Sequence, residues 1–127
     1  MNYIEVTAAI LIHNDKYLIG QRRKGSDQEG KWEFPGGKIE IGESPEECLR
    51  RELQEEFDIE STIGSFVGES RFDYGDKKIR LLAYYVQYPG GRLNLNAHQA
   101  ICWIDKKDFP KFDFAKADQG LFQFLNI

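Results

Sequence analysis

A mixed α/β (α+β) fold, one sheet with a helix on each face, is what the amino-acid sequence predicts, and three observations carry the prediction. Apolar runs of strand length, separated by turn residues, recur along most of the 127 residues. One strongly marked helix interrupts them over Ser44–Ile59, and a short helical pattern follows at Asp118–Leu125. Strands and helices do not alternate strictly, which disfavours a purely parallel sheet.

The elements follow in order. Tyr3–Ile12 reads as a mostly buried strand, His13–Lys16 as a polar turn, and Lys16–Arg22 as the returning strand of a hairpin. Lys24–Lys31 is a polar loop with two glycines. Trp32–Phe34 is a short aromatic strand stopped by Pro35–Gly36–Gly37. At the main helix, Ser44 and Glu47 form a capping box around Pro45, which suits the first helical position. Leu49, Leu53 and Phe57 recur every four residues as one apolar stripe. Strands near Thr62–Arg71 and Lys77–Gln87 flank the turn Asp73–Asp76, and Ala100–Ile104 is a further buried strand. No linker or repeat divides the chain, so residues 1–127 are expected to form a single domain.

Charge and composition narrow the function. Seventeen Lys+Arg against 21 Asp+Glu give a net charge of −4, the wrong sign for binding a nucleic-acid polymer through its phosphates. No apolar run approaches the roughly 18 residues that span a bilayer. The N-terminus lacks a signal-peptide pattern, and Cys48 and Cys102 are not in metal-ligand spacing, so a cytoplasmic protein is expected. The Phe-rich tail (Phe109, Phe112, Phe114, Phe122, Phe124) suits either a core or an interface, and monomer and homodimer stay equally open.

On a helix turning ~100° per residue, Glu52, Glu55 and Glu56 share a sector beside the apolar stripe. Glu46–Arg50 and Glu47–Arg51 are matched at four-residue spacing. No basic residue follows the other three within helical reach, so something outside the helix is expected to neutralise them. Clustered carboxylates suit a hard divalent cation such as Mg²⁺ or Mn²⁺. Glu52 and Glu55 are expected on a solvent-facing sector.

The spacing Gly37-x5-Glu43-x7-Arg51-Glu52-Leu53-x-Glu55-Glu56-x-Asp58-Ile59 resembles the signature of the Nudix hydrolase family, G-x5-E-x7-R-E-U-x-E-E-x-G-U, where U is aliphatic. Asp58 replaces a glycine that resembles a left-handed helix cap, a geometry Asp tolerates better than most residues. Trp32–Glu40 is similar to the approach strand of MutT-type enzymes. Ser26–Gln28, His98–Ala100 and Ala115–Asp118 are similar to the CTP pyrophosphohydrolase branch.

The resemblance implies an α/β/α sandwich with a loop–helix–loop motif, and water attack on a nucleoside diphosphate linked to another group. It makes Glu52, Glu55, Glu56 and the Gly36 carbonyl metal ligands for Mg²⁺, with Mn²⁺ a substitute. Glu55 or Glu52 is the implied base, Arg51 orients a glutamate, Glu43 and Gly37 support the motif, and Lys38 either touches phosphate or is solvated. Ala97 stands where MutT-type relatives carry a glutamate. The neighbouring His98 is either a proton acceptor or a surface or hydrogen-bonding residue. Arg22, Phe34, Tyr84 and Asp118 are the implied nucleotide contacts. Phe34 and Tyr84 equally suit core packing, and Asp118 equally suits a helix N-cap.

The expected reaction converts a nucleoside triphosphate to its monophosphate and pyrophosphate, on CTP- or dCTP-like substrates or oxidised nucleotides such as 8-oxo-dGTP. Hydrolysis of a nucleotide sugar or dinucleoside polyphosphate, or non-catalytic nucleotide sensing, are the other readings.

Overall fold

The computed structural model describes residues 2–126 and contains six strands: β1 (Ile4–His13), β2 (Lys16–Arg22), β3 (Trp32–Glu33), β4 (Thr62–Asp73), β5 (Lys78–Gln87) and β6 (His98–Ile104). The β1–β2 hairpin turns through Asn14 and Asp15, both at positive φ (52° and 61°), as a two-residue turn of matching twist requires. Beyond that turn the two strands separate. β1 pairs in parallel with β5 from Ile4 to Ile12, and β2 pairs antiparallel with β6. β4 closes the other edge, antiparallel to β5. The sheet is therefore mixed, as expected.

The gap between β1 and β2 positions the site. β3 enters it by pairing with Gly20 and Gln21 of β2. The chain then follows β1. The Ala9 amide donates to the Pro35 carbonyl (2.6 Å), Thr7 to Gly37 (2.8 Å) and Ile39 to Glu5 (3.0 Å). These bonds satisfy two β1 donors and one β1 acceptor that β2 has left.

Helix α1 (Pro45–Phe57) starts at the expected capping box, and Leu49, Leu53 and Phe57 are fully buried against Ala9, Leu11, Leu18 and Val86. On the opposite face lie α2 (Lys116–Gln119) and 3₁₀ helices at Lys106–Lys111 and Phe122–Phe124, packed through Phe34, Phe109, Phe114 and Leu121. The Phe-rich tail is thus core. The continuous helix expected over Asp118–Leu125 is instead broken at Gly120, where an added Cβ would meet Ser70 Oγ at 2.2 Å. The N-cap of α2 is Ala115, so Asp118 is no cap; it lies inside the helix. Among the described residues no helix is long and apolar enough to cross a membrane.

Asp58 adopts the left-handed conformation (φ 58°, ψ 39°) that ends α1. Its Oδ2 accepts from the side-chain amides of Asn94 (2.8 Å) and Asn96 (2.9 Å), which hold its carboxyl below the usual range. The Asn94 and Asn96 backbone amides donate to the Phe57 and Glu56 carbonyls, satisfying the open helix end. Here Asp supplies a tether that glycine lacks. Asp58→Ala is expected to lower the melting temperature by several degrees, because it removes the tether and keeps the strain. An unchanged melting temperature would show the tether to be idle.

Candidate active site

Two glycines bring the loop onto α1. Gly36 has φ 152°, and a Cβ there would lie 2.0 Å from the Thr7 carbonyl oxygen. A Cβ on Gly37 would sit 2.3 Å from the Glu52 carboxyl carbon, so only glycine lets that carboxylate rest on the loop backbone.

Arg51 organises the acidic side chains. Its Nε and Nη2 donate to both oxygens of Glu43 (2.6 and 2.9 Å), Nη1 to Glu52 Oε1 (2.8 Å) and Glu55 Oε1 (3.3 Å), and Nη2 to the Lys38 carbonyl (3.2 Å). The guanidinium pulls the Glu43 carboxyl down to about 2, and the glutamates push Arg51 upward. This corrects one expectation: Glu52 and Glu55 do have a basic partner within the helix, and it precedes them. Glu55 is on the solvent side as expected, with its side chain 59% exposed, while Glu52 is largely covered (17%).

Glu56 is different. It is buried, its Oε1 has no hydrogen-bond partner, and its pKa is raised to about 10 by burial and by nearby Glu52 and Glu33, against an opposing Gly36 backbone bond. A bare carboxylate beside two others is costly in such a place. A proton relieves the repulsion, and so does a hard cation. The oxygen donors of Glu52, Glu56 and Gly36 therefore fit a divalent ion, although no group of three or more acidic, His or Cys residues stands ready-set as ligands among the described residues. Glu55, held by Arg51 as Glu52 is, stands in the same acidic wall.

A titration follows. An acid with a raised folded pKa binds more protons folded than unfolded between its two pKa values. Metal-free stability should therefore fall as pH rises from 4.5 toward about 10. Thermal melts in chelator across about pH 6–9 are expected to show that decline, and Glu56→Gln to flatten it. Parallel curves for the two proteins would contradict the assignment.

Two cavities meet here. One, of about 410 Å³, is walled by Glu52, Glu55, Glu56, Ala97 and His98. The other, of about 220 Å³, is lined by Phe34, Lys38, Tyr74, Ile79, Leu81 and Asp118. Arg22, Glu33 and Gly36 belong to both walls. In the smaller cavity Asp118 is buried and accepts from the Phe34 amide (2.9 Å), and burial raises its carboxyl far above the ordinary range. An ion pair between Asp27 and Lys77 stands at this cavity's wall.

Arg22, Phe34, Lys38 and Asp118 thus come together as expected. Phe34 both lines the cavity and packs in the core, 5.6 Å from the Phe114 ring. Tyr84 does not join them. On β5 the cavity takes Ile79 and Leu81, and Tyr84, at even parity, points to the α1 face, where it meets Phe66 at 5.4 Å. Glu33 and Tyr74 belong to the site and were not anticipated. A lone acidic residue inside the aromatic run Trp32–Glu33–Phe34 was the signal for Glu33; a turn tyrosine carries none. His98 is a buried residue, not a surface one.

The model for the NUDIX domain matches residues 4–125. The chain is 40% identical to the CTP pyrophosphohydrolase of Escherichia coli K12 over 123 residues, covering 97% of this chain and 91% of that one. It is 32% identical to an 8-oxo-dGTP diphosphatase of Haemophilus influenzae over 120 residues, covering 93% and 88%. The crystal structure of a MutT protein from Methanosarcina mazei Go1 superposes with a TM-score of 0.87 at 25% identity, covering 95% of this chain and 91% of that one.

Proposed function

Given that this chain belongs to the Nudix family of hydrolases, we propose that it is a Mg²⁺-dependent nucleoside triphosphate diphosphatase. It releases the monophosphate and pyrophosphate from CTP- or dCTP-like nucleotides, and from oxidised nucleotides such as 8-oxo-dGTP. We read the chain as one domain and place its activity in the nucleotide pool. The observation that carries this reading is the junction of an acidic cavity with a smaller one that ends in the buried carboxyl of Asp118.

Glu52, Glu55, Glu56 and the Gly36 carbonyl would hold the cation. When bound, it neutralises phosphate oxygens and acidifies water. The chain's own residues do the rest. Arg51 fixes Glu52 through a charge-assisted bond and keeps Glu55 at the cavity edge, where that exposed carboxylate is placed to accept the proton of the attacking water. Lys38, in the wall next to Gly37, offers a positive charge to the phosphate chain. Phe34 presents a flat face to the base.

Asp118 sets the base preference. With one oxygen occupied by the Phe34 amide, a protonated carboxyl still donates one hydrogen bond and accepts another. That pairs with a cytosine edge, which offers an acceptor ring nitrogen beside a donor amine.

The test is a panel of ribo-, deoxy- and oxidised nucleotides assayed with Mg²⁺ and pyrophosphate detection. Pyrophosphate from CTP, dCTP or 8-oxo-dGTP is expected, and inorganic phosphate as the direct product would overturn the reading. Asp118→Ala should lower kcat/KM for CTP by about 10- to 100-fold, the loss typical of a buried base contact. It should change the other nucleotides less; equal losses on all bases would make Asp118 merely structural.

A further inference from the structure

His98 is held on every side. Its backbone starts β6 opposite Arg22, beside a register shift in β2. One ring face stacks on Phe57, the last residue of α1, at 5.7 Å between centroids and 10° between planes. A Cβ on Gly20 would meet the imidazole at 2.6 Å, so glycine at that position of β2 is the space the ring occupies. The side chain is 3% exposed.

Its two nitrogens face two carboxyl groups of the site. Nε2 donates to Glu33 Oε2 (2.9 Å), while Glu33 Oε1 accepts from Arg22 (3.2 Å). Nδ1 faces Glu56 Oε1 at 3.8 Å, and both atoms are buried without a hydrogen-bond partner. The large majority of buried polar atoms find a hydrogen-bond partner, so two unsatisfied atoms facing each other are unusual. Here the unsatisfied nitrogen faces the unsatisfied oxygen of a buried acidic side chain. Glu33 stands in the wall of both cavities, so the ring touches the residue joining them and the residue at the floor of one.

We propose that His98 is a positioning residue that sets the carboxyl groups of Glu33 and Glu56 for cation binding, and that Gly20 exists to seat its ring. It acts through those carboxyl groups and touches no reacting atom. The inference rests on the reading of Glu56 as a cation ligand and extends it to residues outside the motif. Loss of an outer residue that orients metal ligands weakens the metal by roughly 10- to 100-fold.

The experiment measures Mn²⁺ binding by the loss of the free-ion paramagnetic signal, together with kcat and KM on CTP. The proteins are wild type, His98→Ala, His98→Gln and Gly20→Ala. His98→Ala is expected to weaken Mn²⁺ by 10- to 100-fold and to lower kcat in step, with KM within about threefold. His98→Gln keeps a donor toward Glu33 and should recover part of both losses. Gly20→Ala displaces the ring without altering any acidic residue and should reproduce the losses of His98→Ala. If His98→Ala does not fold, the other two variants decide. Mn²⁺ affinity and kcat at wild-type level in folded His98→Ala or Gly20→Ala protein, with only the melting temperature lowered, would reduce His98 to a core residue. Failure of the wild type itself to bind Mn²⁺ would instead strike the reading on which this one rests.

Discussion

Replacing Glu52 with glutamine is expected to lower turnover about a thousandfold while the protein stays folded. Removing several kcal/mol of cation-assisted stabilisation corresponds to that factor. The amide is nearly isosteric, and its oxygen still accepts from Arg51, as Glu52 Oε1 does at 2.8 Å. The contact with Gly37 is kept as well. What is lost is the charge. Glu56→Gln is expected to match that loss in rate with a distinguishing mark: at alkaline pH the metal-free variant should melt higher than the wild type, because the buried group no longer has to ionise. Steady-state rates with CTP and Mg²⁺, and melts in chelator, check both halves. Near-normal turnover in either variant would remove that glutamate from the ligand set.

Gly36→Ala is expected to do greater damage to the fold than any acidic substitution. Two costs coincide. The φ of 152° is a region that residues with a Cβ rarely enter, and the new methyl would lie 2.0 Å from the Thr7 oxygen and 2.7 Å from the Thr7 carbonyl carbon. Both are backbone atoms of the central strand β1, so neither can rotate away. Strain and overpacking at about 1–3 kcal/mol each imply a melting temperature lower by about 10 °C or more, with activity lost because the loop leaves β1. Circular-dichroism melts test this. A variant as stable as the wild type would mean that residues 35–39 are not clamped to β1 in solution.

How far the residues alone carried these conclusions depends on the range of the interactions. The α1 start was legible because a capping box is a contact within four residues, and the Leu49–Leu53–Phe57 stripe because helical periodicity is local. The acidic group was legible as a cluster, yet its members differ in ways that only tertiary structure sets. Glu56 is buried in part because Asn96 and His98 cross the helix end, and Glu55 is exposed because nothing packs over it. Arg51 was assigned to Glu47, but here it turns to Glu43, Glu52 and Glu55, a choice made by the loop folding back. Tyr84 failed as a site residue on strand parity, which a one-residue error in register reverses. The C-terminal helix is not continuous, and Gly120 at its break lies against Ser70 of β4, a contact fifty residues away in sequence. Glu33 and His98 meet across 65 positions, and no local pattern announces such a pair.

Crystals soaked in Mn²⁺ and a non-hydrolysable dCTP analogue, with the metal located by its anomalous scattering, test the central assignment most directly. The assignment predicts a peak within coordination distance of Glu56 Oε1 and a Glu52 oxygen, and the base against Asp118. A peak held only by exposed carboxylates, with Glu56 still uncoordinated and the base elsewhere, would contradict it.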